Sequence, residues 1–219
     1  SACTRVSAGS TVSPPSAATT ESASQSDRAT LRIVLLTIGK SRKMGQGEGM
    51  GLLPEIEHRK SIRSYRTDPI DGETLARVLE AGRLAPSAKN RQSWRFIVVT
   101  DDPLRQRMQD AAFGQEYVGR APAILASCTT NIEYKMPNGQ LSYPVDLSIA
   151  TTYMMLQAEH EGLGSCMVTT FREEDVKSIL TVPYSMRVVM LLTIGWPDES
   201  RGESASRLPI ERVVSYEHW

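Results

Sequence analysis

The sequence predicts an α/β or α+β domain in which helices cover a sheet. Three observations carry this: helical periodicity after a capping aspartate at Asp71, short β-branched runs at residues 95–100 and 187–194, and a nearly all-apolar segment at residues 145–161. The chain has 219 residues, within the range of one domain with a sizeable core. Its 40% hydrophobic and 23% charged residues are the proportions of an ordinary globular chain.

Asp71 can cap a helix whose apolar positions Leu75, Val78, Leu79 and Gly82 recur at helical spacing, and Pro86 closes the segment. Residues 95–100 (RFIVVT) read as a strand that enters a turn at Asp101-Asp102-Pro103, followed by a helix over residues 103–112. Residues 122–128 (PAILASC) resemble a second strand. Residues 145–161 are apolar almost all round, as in a helix buried at the centre of a domain or at a subunit interface, and Gly162 is its natural stop. A short helix is expected over residues 173–180. Residues 187–194 (RVVMLLTI) are apolar on both alternating faces, which suits a strand covered from both sides.

Residues 1–53 contain no aromatic Phe, Trp or Tyr and fifteen Ser or Thr. Such a stretch buries too little apolar surface to offset its ordering entropy. Its basic, Ser-rich bias is one a transit peptide would share, but Met44 and Met50 read as plausible native starts. The expectation is therefore a disordered tail or non-native upstream segment over residues 1–49 and one domain over residues 50–219.

Lys plus Arg and Asp plus Glu balance at 25 each, which excludes a chain-wide field able to hold nucleic acid. The longest apolar runs, residues 33–36 and 188–192, fall far short of the roughly 20 residues that cross a bilayer, so no membrane partner is expected. Cys3, Cys128 and Cys166 form neither a C-x-x-C pair nor a Cys/His cluster, which argues against zinc and disulfides and fits a reducing cytoplasm. Cys128 and Cys166 read as small core residues. His58, His160 and His218 have no spacing that suggests a triad or a metal.

Three segments carry polar residues that serve no helix or strand pattern. Residues 58–65 (HRKSIRSY) gather cations and hydroxyls, and taken alone they are a solvated basic turn. Residues 85–94 (APSAKNRQSW) present hydroxyl, carboxamide and indole groups on a loop. Residues 162–171 (GLGSCMVTTF) open with glycines, which permit close backbone approach to a flat ligand or simply end a helix.

Together, in this order and spacing, the three resemble the nitroreductase family of FMN enzymes, and the resemblance covers nearly everything from Glu57 to Trp219. RKSIRSY looks like the family's phosphate and flavin-edge motif, APSAKNRQSW like its A-P-S-x-x-N-x-Q-P-W loop, and GLGSC like its late helix-to-strand motif. Ser93 stands where the family pattern has Pro. Gly195-Trp196-Pro197 resembles the family's G-Y-P, and Arg207-Leu208-Pro209 with Val213, Val214 and Trp219 is similar to its closing segment.

The resemblance implies an α+β, three-layer α/β/α fold with a mostly antiparallel central sheet, in an intertwined homodimer. It implies FMN as cofactor and NAD(P)H as donor, with a two-electron ping-pong reduction of nitroaromatics, quinones or similar acceptors. Arg59 and Arg207 would meet the FMN phosphate through paired, charge-assisted hydrogen bonds, with Lys60 beside them and a hydroxyl from Ser61. Arg63 would stabilise the negative charge of the reduced ring, and the Thr169 and Thr170 backbone would face N5. Pro86, Ser87, Ala88, Asn90 and Gln92 of one subunit would touch the flavin of the other. No side chain is required as a nucleophile, and no metal. Rival readings are a reductive dehalogenase or an oxygen-dependent flavin-fragmenting enzyme, a flavin-binding protein without turnover, and a purely structural dimerisation domain. Residues 113–143 offer the only room for a substrate-covering segment.

Overall fold

A capped helix opens the folded core where the sequence places it. In the computed structural model, which describes residues 51–198 and 206–219, Asp71 Oδ1 accepts from the Thr74 amide at 2.8 Å and starts a helix at Gly72. The expected tail, residues 1–49, lies outside the described residues. Gly51–Arg207 forms one unit. Leu208–Trp219 is not part of it and carries a single 3₁₀ turn, Ile210–Arg212.

In chain order the unit contains α1 (Pro54–His58), α2 (Gly72–Arg83), β1 (Trp94–Val99), α3 (Asp102–Ala111), α4 (Glu116–Arg120), β2 (Ala123–Thr129), α5 (Ser142–His160), β3 (Gly164–Val168), α6 (Glu173–Leu180) and β4 (Arg187–Gly195). The strands form one sheet in the order β1-β2-β4-β3, with all three neighbouring pairs antiparallel. A parallel bridge joins Ser61 to Ser165 at the β3 edge.

Two apolar layers sandwich the sheet, because alternate residues of each strand face opposite sides. On one side Ile124, Ala126, Cys128 and Leu191 pack against Met108 of α3, Val118 of α4 and Val176 of α6. On the other, Leu125, Leu192 and Ile194 meet Val78 of α2 and Met154 and Ala158 of α5, while Trp94 and Met190 meet Leu147 and Ala150 of α5. A register shift at Ser127/Cys128 lets Val188 and Leu191 share one face despite their odd spacing. The three-layer α+β architecture expected from the sequence is the one observed.

Residues 145–161 are not buried all round. Leu147, Ala150, Met154 and Ala158 point into the core, while Val145 and Tyr153 on the opposite stripe are 39% and 42% exposed. Gly162, at φ +79°, ends α5: its amide donates to Glu159 O and that of Leu163 to Ala158 O. This turn delivers the chain directly into β3, a strand that periodicity alone does not reveal.

Arg77 of α2 grips Glu161 just beyond α5 through two 2.8 Å hydrogen bonds, and Gln157 adds a third. The Arg77 bonds hold the Glu161 carboxyl down at about 2 against an ordinary value of 4.5. A depressed acid stabilises the fold above its unfolded value and loses that contribution as pH falls through its folded one. Half-exposed Arg77 leaves the pair screened by solvent, so its contribution to stability is small. Glu161→Gln is therefore expected to lower Tm by about 2–4 °C at pH 7. In thermal melts that deficit should close as the pH is lowered from 4.5 towards 2; a constant deficit would show that charge is not its cause.

Candidate functional site

The basic segment is pinned to the sheet by its two apolar residues. Ile62 is buried, and its amide donates to Ser165 O of β3 at 2.9 Å. Tyr65 is also buried; its hydroxyl donates to Ile62 O at 2.6 Å and lies 2.8 Å from Thr193 Oγ1. Further on, the Arg66 amide donates to Trp196 O and that of Asp198 to Ser64 O, so the Gly195-Trp196-Pro197 motif closes on the same segment. With Ile62 and Tyr65 turned inward, Ser61 and Arg63 are left exposed and Arg59 and Lys60 half-buried.

The segment sits close because Gly164 has no side chain. A Cβ there would lie 2.7–2.9 Å from three atoms of Ile62. Motifs one and three are thereby joined, and the cations of the first act on a residue of the third: burial raises the Cys166 thiol pKa, with Arg63 and Arg59 pulling it back. Among the described residues none of Arg59, Lys60 and Arg63 takes part in an ion pair. Positive charge is thus held beside the β3 edge with no ion-pair partner among the described residues, and the acid tied to the segment, Asp198, is engaged by Ser64 instead.

Thr169 and Thr170 leave the end of β3 exposed to solvent. Gln115 Nε2 donates to Thr170 O at 3.0 Å. Arg207 is exposed, and its Nη1 donates to Ser206 O at 3.3 Å.

The second motif folds into a strained loop. Lys89, Asn90 and Gln92 adopt φ of 53°, 52° and 50°, a left-handed conformation that costs a residue with a Cβ about 1–2 kcal/mol. Several contacts impose it. Ser87 Oγ accepts from the Gln92 amide at 3.0 Å, Gln92 Nε2 donates to Asn90 Oδ1, and the Ala88 amide donates to Asp146 Oδ1 at 2.9 Å. Asp146 is 3% exposed, and its Oδ2 has no hydrogen-bond partner. The Arg91 guanidinium lies 4.1 Å from the centre of the Tyr134 ring. Ser93 O accepts from the Thr130 amide, which ties the loop down although it lacks the family's proline at that position. Pro86 is exposed at its start.

Within one chain this loop does not meet the other two motifs. It leads into Trp94, at the outer edge of β1, whereas Ser61 borders β3 on the opposite edge. Three inter-strand spacings, about 14 Å, separate those edges. Trp94 pairs with Thr129, and Thr129 with Arg187, at one end of the sheet, while Gly164 pairs with Gly195 at the other. The loop and the Ser61 bridge thus occupy diagonally opposed corners.

Cys128 and Cys166 are both core residues, and burial pushes the Cys128 thiol up to about 11. His160 Nδ1 lies 2.7 Å from Glu55 Oε1, while His58 and His218 are exposed. Among the described residues no group of three or more His, Cys, Asp or Glu could hold a metal, and no helix is long and apolar enough to cross a membrane. Residues 113–143 include the five-residue α4 and the seven-residue β2, and residues 130–141 form an open segment between β2 and α5. Gln115, Tyr117 and Tyr134 contact the motifs but were not legible in the sequence, since single polar or aromatic residues carry no spacing signal.

A sheet with helices on both faces, three cations at one edge and a strained loop at the far corner define an α+β fold and its candidate site. The family model described as "Nitroreductase family" matches residues 56–141 and 113–196. The chain belongs to the nitroreductase family. It is 32% identical to a protein of Thermus thermophilus named NADH dehydrogenase, over 71% of this chain and 91% of that one. It is 33% identical to a 5,6-dimethylbenzimidazole synthase of Rhodospirillum rubrum, over 68% and 83%. Among solved structures, an NADPH:FMN oxidoreductase from Vibrio harveyi complexed with NAD+ superposes with a TM-score of 0.68 at 27% identity, covering 75% of this chain and 76% of that one.

Proposed function

We propose that this protein is an FMN-dependent oxidoreductase that uses NAD(P)H to reduce nitroaromatics, quinones or similar acceptors in ping-pong order, with two copies sharing each active site. The observation that carries this reading is the cluster of Arg59, Lys60 and Arg63 beside β3, none of them in an ion pair among the described residues. An FMN phosphate carries nearly two negative charges, and guanidinium forks match its oxygens. Bound FMN supplies two-electron transfer between donor and acceptor.

The chain's own residues bind and orient. Arg59, Lys60 and Ser61, with Arg207, hold the phosphate end. Arg63 places a cation where negative charge gathers on reduction, and the Thr169 and Thr170 backbone lines the other side. Pro86, Ser87, Ala88, Asn90 and Gln92 belong to the site of a second copy, because the opposed corners of the sheet keep them from their own chain's cations. The exposed α5 stripe at Val145 and Tyr153 offers apolar surface for that pairing. A cytoplasmic setting provides the nicotinamide donor. No nucleic acid or membrane enters the scheme.

A second reading, flavin chemistry other than acceptor reduction, is supported by the 33% identity to a 5,6-dimethylbenzimidazole synthase. One titration distinguishes the cases. The protein is expected to take up FMN with a visible flavin spectrum, to bleach anaerobically with NADH or NADPH, and to regain colour on adding nitrofurazone or menadione. Bleaching without recovery by either acceptor would favour the second reading, and no bleaching by either donor would leave a flavin-binding protein without turnover. Absence of flavin uptake would refute the cofactor.

A further inference from the structure

The turn before α4 belongs to none of the three motifs, yet it bridges two of them. The Arg63 guanidinium carbon lies 5.8 Å from the centroid of the Tyr117 ring. The Tyr117 hydroxyl donates to Gln115 Oε1 at 2.8 Å. That bond fixes which end of the Gln115 carboxamide is oxygen and turns its NH₂ towards two carbonyls, Ala112 O at 2.8 Å and Thr170 O at 3.0 Å. Three of the four hydrogen-bonding capacities of the planar amide are thereby aimed: the oxygen accepts from the phenol, and the nitrogen donates to the turn before α4 and to the segment after β3. Arg63 and the Thr170 peptide, far apart in sequence, are held by one chain of contacts.

We propose that Gln115 and Tyr117 are positioning residues that fix the Arg63 cation and the Thr169–Thr170 backbone relative to one another, and so set how readily the site supports the reduced cofactor. This rests on the flavin reading above and deepens it. Neither residue needs to touch the cofactor. Their action passes through Arg63 and through the Thr170 carbonyl, and a partly ordered pair would leave cation and peptide free to drift apart by the width of the broken hydrogen bond.

Tyr117→Phe keeps the ring beneath Arg63 and removes only the hydroxyl; Gln115→Ala removes the carboxamide. In FMN-loaded protein each is expected to slow anaerobic flavin reduction by NADH or NADPH about fivefold, the scale of one hydrogen bond. The midpoint potential should fall by about 20 mV, the same factor expressed for a two-electron couple. FMN affinity should stay within about twofold, and the double variant should be no slower than the worse single one, because both changes cut one chain of contacts. Multiplying effects, or an equal loss of FMN affinity, would mean general loosening and overturn the proposal. A cofactor-free measurement keeps the two readings separable. The Arg172 amide, which donates to Ala111 O at 2.8 Å, should exchange its hydrogen about fivefold faster in either variant. Unchanged Arg172 exchange defeats this inference alone, whereas wild-type protein that takes up no FMN defeats the flavin reading.

Discussion

Gly164→Ala is expected to weaken FMN binding by more than about tenfold and to destabilise the fold by about 2 kcal/mol, the cost of overpacking a filled position. The added methyl would fall 2.7–2.9 Å from Cγ1, Cβ and Cγ2 of Ile62. Ile62 cannot yield by rotating a flexible end, because its branch point is one of the atoms struck and the side chain is itself buried. The backbone of residues 61–63 must move instead, stretching the Ile62 amide to Ser165 O bond and carrying Arg59 and Arg63 out of register. Gly72→Ala is the control, for nothing lies within 4 Å of that position, and its stability should be unchanged or slightly raised. Calorimetry and FMN fluorescence quenching on both variants check this. Normal FMN affinity in the Gly164 variant would show that the cation segment does not depend on its contact with β3.

Arg63→Ala and Arg59→Ala are expected to fail in opposite ways. Loss of Arg63 should slow anaerobic flavin reduction at least tenfold, since a fixed charge that matters mainly in the reduced state acts on the rate. FMN affinity should change much less. Loss of Arg59 should raise the FMN dissociation constant about tenfold or more, the worth of a charge-assisted contact to phosphate, with the reduction rate of loaded protein nearly intact. Stopped-flow reduction and equilibrium titration on both variants separate the roles. Equal losses on both measures would contradict them.

Elements with a cap, a turn signal, a period or a β-branched run were legible: Asp71 before α2, the Asp101-Asp102-Pro103 turn before α3, the apolar α5 with Gly162 after it, and the two-faced β4 all lie within a few residues of the sequence reading. What escaped was short or lacked contrast. α1 and α4 span five residues each, less than two turns, over which no period can be measured. β3 opens with Gly164 and Ser165 and has no alternation, so only its pairing with β4 defines it. The site divides along the same line. Local chemistry marked RKSIRSY and APSAKNRQSW as unusual, but their separation to opposed sheet corners depends on strand order, which no local pattern encodes. Tyr117 and Tyr134 reached the motifs only through tertiary packing.

The most direct test of a flavin site shared between two chains is the FMN titration carried out on protein whose mass is followed by sedimentation equilibrium. The expected result is a dimer that binds one FMN per chain and releases it as dilution separates the chains, so that flavin absorbance no longer sediments with the protein. A monomer that retains FMN, or a dimer that binds none, would contradict the account.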